Sequence, residues 1–110
     1  MTDAHPIDRL FATIAARKGS DPKRSYTAAL LKRGVAQCAK KVGEEGVEVA
    51  LAAVGGKKKE IVAESADVLY HLLVLWAACG VKPKAVYDAL AAREGRSGMA
   101  EKKSRKRTRR

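Results

Sequence analysis

Two acid pairs at helical i,i+3 spacing could do chemistry in this chain: Glu45 with Glu48, and Glu64 with Asp67. Each lies in an otherwise apolar segment. From Val42 to Val54 the only charged residues are Glu44, Glu45 and Glu48; from Ile61 to Cys79 they are Glu64 and Asp67, with His71 one turn further on. Residues three or four apart share a helix face. Glu45 can reach Lys41 one turn back, whereas Glu48, Glu64 and Asp67 have no Lys or Arg three or four positions away. Carboxylates among apolar residues are costly unless paired or bound to metal. Oxygen-only donors favour a hard cation, Mg2+ or Mn2+. Mg2+ keeps waters and takes the rest of its shell from substrate phosphates, so the pattern points to phosphate-ester or phosphoanhydride chemistry.

The competing account is a solvated acidic face, because surface Glu is common and one such pair alone says little. A di-iron carboxylate bundle needs Glu-x-x-His repeats from two helices; here the third positions are Glu48 and Asp67. Lys40 and Lys41, one turn before the acids, are candidates for meeting phosphates, with plain solvation as the alternative. Tyr26 is a candidate to hydrogen-bond substrate or to cap a turn. His71 is a further candidate contact, although a lone His on such a stripe more often serves as a hydrogen-bonding residue. No phosphate-loop, nucleophile-elbow or dinucleotide-binding signature is present.

Four to five helices must position these groups. Ile7, Leu10, Phe11 and Ile14 repeat as one apolar stripe, which Gly19 ends. Gly19 to Arg24 reads as a loop, and Thr27 to Leu31 as a short helical turn before Gly34. A long helix is expected over about Val35–Val54. Its second half is apolar nearly all round, which predicts burial on more than one face. Gly55 and Gly56 break it. The next helix runs from about Lys57 to Cys79, with Gly80 as its stop, and Pro83 opens a last one to about Arg93 with Val86, Leu90 and Ala91 inward. Antiparallel helices joined by a tight Gly-Gly loop lie side by side. The two acid pairs then come level and four carboxylates can converge. An all-α bundle follows.

A chain of 110 residues, 46% hydrophobic and poor in aromatics, suits one helical domain. The net charge of +11 is uneven: residues 93–110 carry +7 and residues 1–92 carry +4. This predicts a folded domain over 1–94 and a basic, flexible or weakly helical tail over 95–110. Cys38 and Cys79 form no disulfide or zinc pattern and read as small core residues. The first ten residues carry no secretion signal. The run Leu72–Cys79 is too short to span a bilayer, so a cytoplasmic setting without membrane partners is expected. The rival class is a nucleic-acid-binding helical protein using the basic tail as an electrostatic arm; it accounts for residues 102–110 but not for the acid quartet.

The strings Lys40–Ala53 (KKVGEEGVEVALAA) and Glu64–Trp76 (ESADVLYHLLVLW) resemble the phosphoribosyl-ATP pyrophosphohydrolase family, as do Ser25–Leu31 and Ala91–Gly98. The paired-acid pattern alone marks the wider all-α NTP pyrophosphohydrolase superfamily; its sequence context narrows it. The resemblance covers about residues 7–105. It implies hydrolysis of phosphoribosyl-ATP to phosphoribosyl-AMP and pyrophosphate with Mg2+, the second step of histidine biosynthesis, in a dimeric all-α homodimer. It also implies that Glu45, Glu48, Glu64 and Asp67 are metal ligands and that Glu44 belongs to the same catalytic motif. Which carboxylate handles the attacking water stays open, as does house-cleaning of non-canonical nucleotides by the same chemistry. No cyclohydrolase-like domain is evident, so one reaction step is expected. Gly46 sits where a better helix former is common, a cost of about 1 kcal/mol, and reads as a close-packing point.

Overall fold

The five helices follow from local start and stop signals. The computed structural model describes residues 5–94. Pro6 begins α1 (Pro6–Ala16), and the His5 side chain caps it by accepting from the Ile7 amide at 3.1 Å. Ser25 caps α2 (Tyr26–Arg33) by accepting from the Ala28 amide at 3.0 Å. Gly34, at φ 92° and ψ 178°, separates α2 from α3 (Val35–Gly55). That backbone region is essentially restricted to glycine, which is why two helices meet there without a longer loop. Gly56, left-handed at φ 71°, turns the chain from α3 into α4 (Lys58–Cys79). Pro83 starts α5 (Pro83–Ala91). Among the described residues there is no strand. The segment read as a short turn is a full eight-residue helix, because the Ser25 cap starts it one residue before Thr27. The expectations for residues 95–110 lie outside the described residues.

Helices α3 and α4 pack along each other as an antiparallel hairpin. The core gathers at its open end, where Ile14, Leu30, Cys38, Leu73 and Val74 are buried together and Ile7, Phe11, Leu31 and Trp76 pack against them. Helices α1 and α2 cover that end, and Tyr87 of α5 donates to Asp8 of α1 at 2.8 Å. Among the described residues, nothing comparable covers the Gly-Gly end. Burial of the second half of α3 on several faces is therefore not what this chain shows: Val47 (59%), Leu51 (62%) and Val54 (88%) are exposed, as is Val62 (70%) of α4. Leu90 and Ala91 of α5, expected inward, are also exposed, and Val86 is partly buried. The short α5 packs against α1, and its last residues are left exposed. Cys79, read as a core residue, is exposed at the end of α4, while Cys38 is buried.

Helix α4 has the length and apolar composition to cross a bilayer, a property hidden in the sequence by the acids that interrupt its apolar run. It carries Glu64, Asp67 and the buried His71 along its middle and packs lengthwise on α3, the position of a central bundle helix.

Gly46 is not a close-packing point within this chain, since a Cβ there would meet nothing within 4 Å. The helix therefore carries the entropic cost of glycine without a packing return. Gly46→Ala is expected to raise stability by about 1 kcal/mol, a midpoint shift of about 4–8 °C. Thermal unfolding followed by circular dichroism checks this; a lower midpoint would show that a second molecule packs against Gly46.

Candidate metal centre

The acids come together because the hairpin pairs positions symmetrically about its Gly-Gly turn: Glu48 lies level with Glu64, and Glu45 with Asp67. One carboxylate oxygen from each of Glu45, Glu64 and Asp67 lies within 4.8 Å of the others. Mg2+–oxygen distances of about 2.1 Å place neighbouring ligands about 3 Å apart. The donors lie near that separation, and an all-oxygen set is the chemistry that fits a small hard cation. Glu48 does not join the three. It lines an adjoining cleft of about 270 Å3 with Leu51, Lys57, Glu60 and Glu64. Burial pushes the Glu64 carboxyl above its ordinary value of 4.5, and Asp67, Glu48, Glu45 and Glu60 add to the rise. Gathering like charges disfavours ionisation, and a divalent cation reverses that cost.

Glu44 faces outward. It accepts from Lys41 at 3.2 Å and lies 4.0 Å from Lys40. Lys41 also stands 3.9 Å from Glu45, and its ammonium is raised above its ordinary value first by the hydrogen bond to Glu44. Lys41 thus touches the acid group from one side while Glu44 orients it. Lys40 is the more exposed of the two lysines.

His71 is buried and is not part of the gathered donor set. Its Nδ1 lies 2.9 Å from the Asp67 carbonyl oxygen, which can only accept, so Nδ1 donates. In the neutral ring, Nε2 then accepts from the Tyr26 hydroxyl at 3.3 Å. The Tyr70 ring meets His71 edge-on with centroids 4.9 Å apart, and the Tyr70 hydroxyl is hydrogen-bonded to Thr27 Oγ1. This cluster locks α2 onto α4 at the turn that carries Asp67. Tyr26 itself is half-exposed and lines a second cleft of about 230 Å3 with Ala29, Leu30, Arg33, Gln37 and Lys41. Arg33 was not a candidate from sequence. Its signal was there, because Arg33 lies seven residues after Tyr26 and shares its face once α2 is a full helix.

A family model described as phosphoribosyl-ATP pyrophosphohydrolase matches residues 7–94. The chain is 59% identical over 100 residues to a phosphoribosyl-ATP pyrophosphatase of Azospirillum brasilense, covering 91% of this chain and 90% of the relative. It is 57% identical over 103 residues to one of Parvibaculum lavamentivorans and 55% identical over 103 residues to one of Paramagnetospirillum magneticum, each covering 94% of both chains. The paired acids thus stand in a match that runs almost end to end, and the chain belongs to the phosphoribosyl-ATP pyrophosphohydrolase family.

Proposed function

We propose that this chain is a Mg2+-dependent phosphoribosyl-ATP pyrophosphohydrolase, acting at the second step of histidine biosynthesis in the cytoplasm as a homodimer. The observation that carries the reading is the convergence of Glu45, Glu64 and Asp67 within a family match over residues 7–94. Water attacks the α-phosphorus of phosphoribosyl-ATP, the bond from the α-phosphorus to the bridging oxygen breaks, and phosphoribosyl-AMP and pyrophosphate leave. No covalent nucleophile is required. Glu45, Glu64 and Asp67 would hold the cation, and Glu48, which lines the adjoining cleft, would complete the acid set only by moving toward them. When bound, Mg2+ supplies neutralisation of the charge that develops on the leaving pyrophosphate; Mn2+ serves in its place. Lys41 adds positive charge beside Glu45, and Glu44 keeps it there. His71 and Tyr26 hold α2 against the Asp67 turn.

The homodimer is supported by Val47, Leu51 and Val54, which form an uncovered apolar stripe on α3 beside exposed Val62 and Leu69 of α4. A second copy supplies apolar surface of the right kind. Leu51→Glu is expected to shift the protein to monomer in sedimentation velocity at micromolar concentration. An unchanged dimer would place the interface elsewhere.

Phosphoribosyl-ATP, dUTP and ATP assayed side by side are expected to show clear preference for the first. Activity is expected to vanish with EDTA and return with Mg2+ or Mn2+. Glu45→Gln, Glu48→Gln, Glu64→Gln and Asp67→Asn should each lower turnover by at least about a hundredfold. Equal turnover of dUTP would favour nucleotide house-cleaning. Full activity in any two of the variants would dismiss the acid group as the metal site.

Metal-free protein offers a separate check. The Glu64 carboxyl is raised in the folded state, so its ionisation disfavours folding. That cost is absent below the ordinary carboxylate range, where both states are protonated, and complete above the raised value. Glu64→Gln is therefore expected to raise the unfolding midpoint in EDTA at pH 7. The gain should shrink as pH falls through the carboxylate range.

A further inference from the structure

We propose that the cleft between α2 and α3 binds the phosphate monoester of the substrate's phosphoribosyl group, with Arg33 as its principal anchor. This rests on the functional reading above and adds a specificity site to it. The two clefts beside the acid group differ in sign. One is lined by Glu48, Glu60 and Glu64 with a single cation, Lys57. The other contains Arg33 and Lys41 and no acid. Its Lys41 is already paired with Glu44. Among the described residues, by contrast, Arg33 and Gln37 make no hydrogen bond or ion pair through their side chains. A guanidinium presents a planar fork of donors that matches two oxygens of a phosphate dianion, and the Gln37 amide adds a neutral donor.

The remaining polar wall suits a sugar. The Tyr26 hydroxyl gives its proton to His71, so its oxygen is left to accept from a ribose hydroxyl. Size agrees with partial occupancy: about 230 Å3 lies below the roughly 300–1,000 Å3 typical of a whole-ligand pocket. Position agrees as well. Lys41 lines the cleft and stands 3.9 Å from Glu45, so a substrate whose anhydride lies at the acid group can place its other end here. A larger cleft of about 360 Å3 beside Lys18 and Lys32 shares no residue with the acid group. The C-terminal end of α2 carries partial negative charge, so the side chains and not the helix must attract the anion.

Two measurements on the full chain test this. In the first, ribose 5-phosphate is titrated without metal and followed by the side-chain amide resonance of Gln37, with ribose as the neutral control. Binding of the phosphate alone is expected, weakened about tenfold in Arg33→Met and partly restored in Arg33→Lys. In the second, kinetics with phosphoribosyl-ATP and ATP are compared. Arg33→Met should raise KM for phosphoribosyl-ATP about tenfold with little change in kcat, the signature of lost ground-state binding, and leave ATP untouched. The exposed position of Arg33 predicts unchanged folding, checked by circular dichroism. An equal loss for both substrates would assign Arg33 to the triphosphate and overturn the proposal, as would a variant indistinguishable from the parent. If the parent fails to hydrolyse phosphoribosyl-ATP, the functional reading falls alone. The titration then decides the cleft: Arg33-dependent binding supports it and absent binding refutes it.

Discussion

Like charges held together on one helical hairpin are the constraint around which this molecule is organised. Helices α3 and α4 are joined by a turn at Gly55–Gly56, and that turn fixes which residues stand opposite each other. Glu45, Glu64 and Asp67 meet as a result, with Glu48 and Glu60 close enough to Glu64 to hold its carboxyl up. A fold selected only for stability would place Lys or Arg among them. The cation that does stand beside the group, Lys41, is shared with Glu44 on the outer side. The electrostatic cost is therefore kept in the chain, at acids that are partly buried (Glu45, Glu64) or exposed (Asp67), and on the proposed reading a bound cation would relieve it.

The hydrophobic structure compensates at a distance. The buried cluster is placed at the open end of the hairpin, where α1 and α2 pack on the first turns of α3 and the last turns of α4. This braces the helices without filling the space beside the acids. His71 links the two regions: its ring lies against Tyr70, its Nδ1 donates to the Asp67 carbonyl, and its Nε2 holds the Tyr26 hydroxyl. The backbone turn that presents Asp67 is thus tied to α2. The Gly-Gly end, by contrast, leaves Val47, Leu51 and Val54 in solvent. Scattered apolar residues on a surface need no explanation; a continuous stripe along a helix does.

Much of this was legible in the sequence because the signals were local. Glycines at positive φ and Pro6 and Pro83 mark element ends, so the helix bounds of α3 and α4 agree with the periodicity to within one or two residues. Acid spacing and the tight turn were enough to bring the two acid pairs level, and three of the four acids, Glu45, Glu64 and Asp67, do gather. What sequence did not supply was the side-chain detail that depends on a third element. Glu48 looks equivalent to Glu45 by spacing, yet one turn nearer the loop it lines a separate cleft. Glu44 looks like part of the acid motif, yet its rotation about α3 turns it outward to Lys41. Arg33 shares a face with Tyr26 by spacing, but that it lines a cleft with Gln37 and Lys41 depends on α2 docking against α3. The apolar second half of α3, expected to be buried on more than one face, is exposed in the single chain, because periodicity reports which face is apolar, not which neighbour covers it.

The pairing of opposite charge across α3 gives the hairpin a direction. Glu48 and Glu64 make one cleft acidic, while Arg33 and Lys41 make the other basic. Such a gradient sets apart the ends of a ligand that carries both a cation-binding polyphosphate and a separate phosphate. On the proposed reading, polyphosphate with its metal would be drawn to the acids, where a bare phosphate would be repelled. A bare phosphate would be drawn to the guanidinium, where a divalent cation would be repelled. Each cleft would attract one end and reject the other, so orientation would be set before any close contact forms. Lys41, paired with Glu44 and 3.9 Å from Glu45, sits at the boundary between the two clefts, so Arg33 is the cation of the basic cleft that no acid neutralises among the described residues.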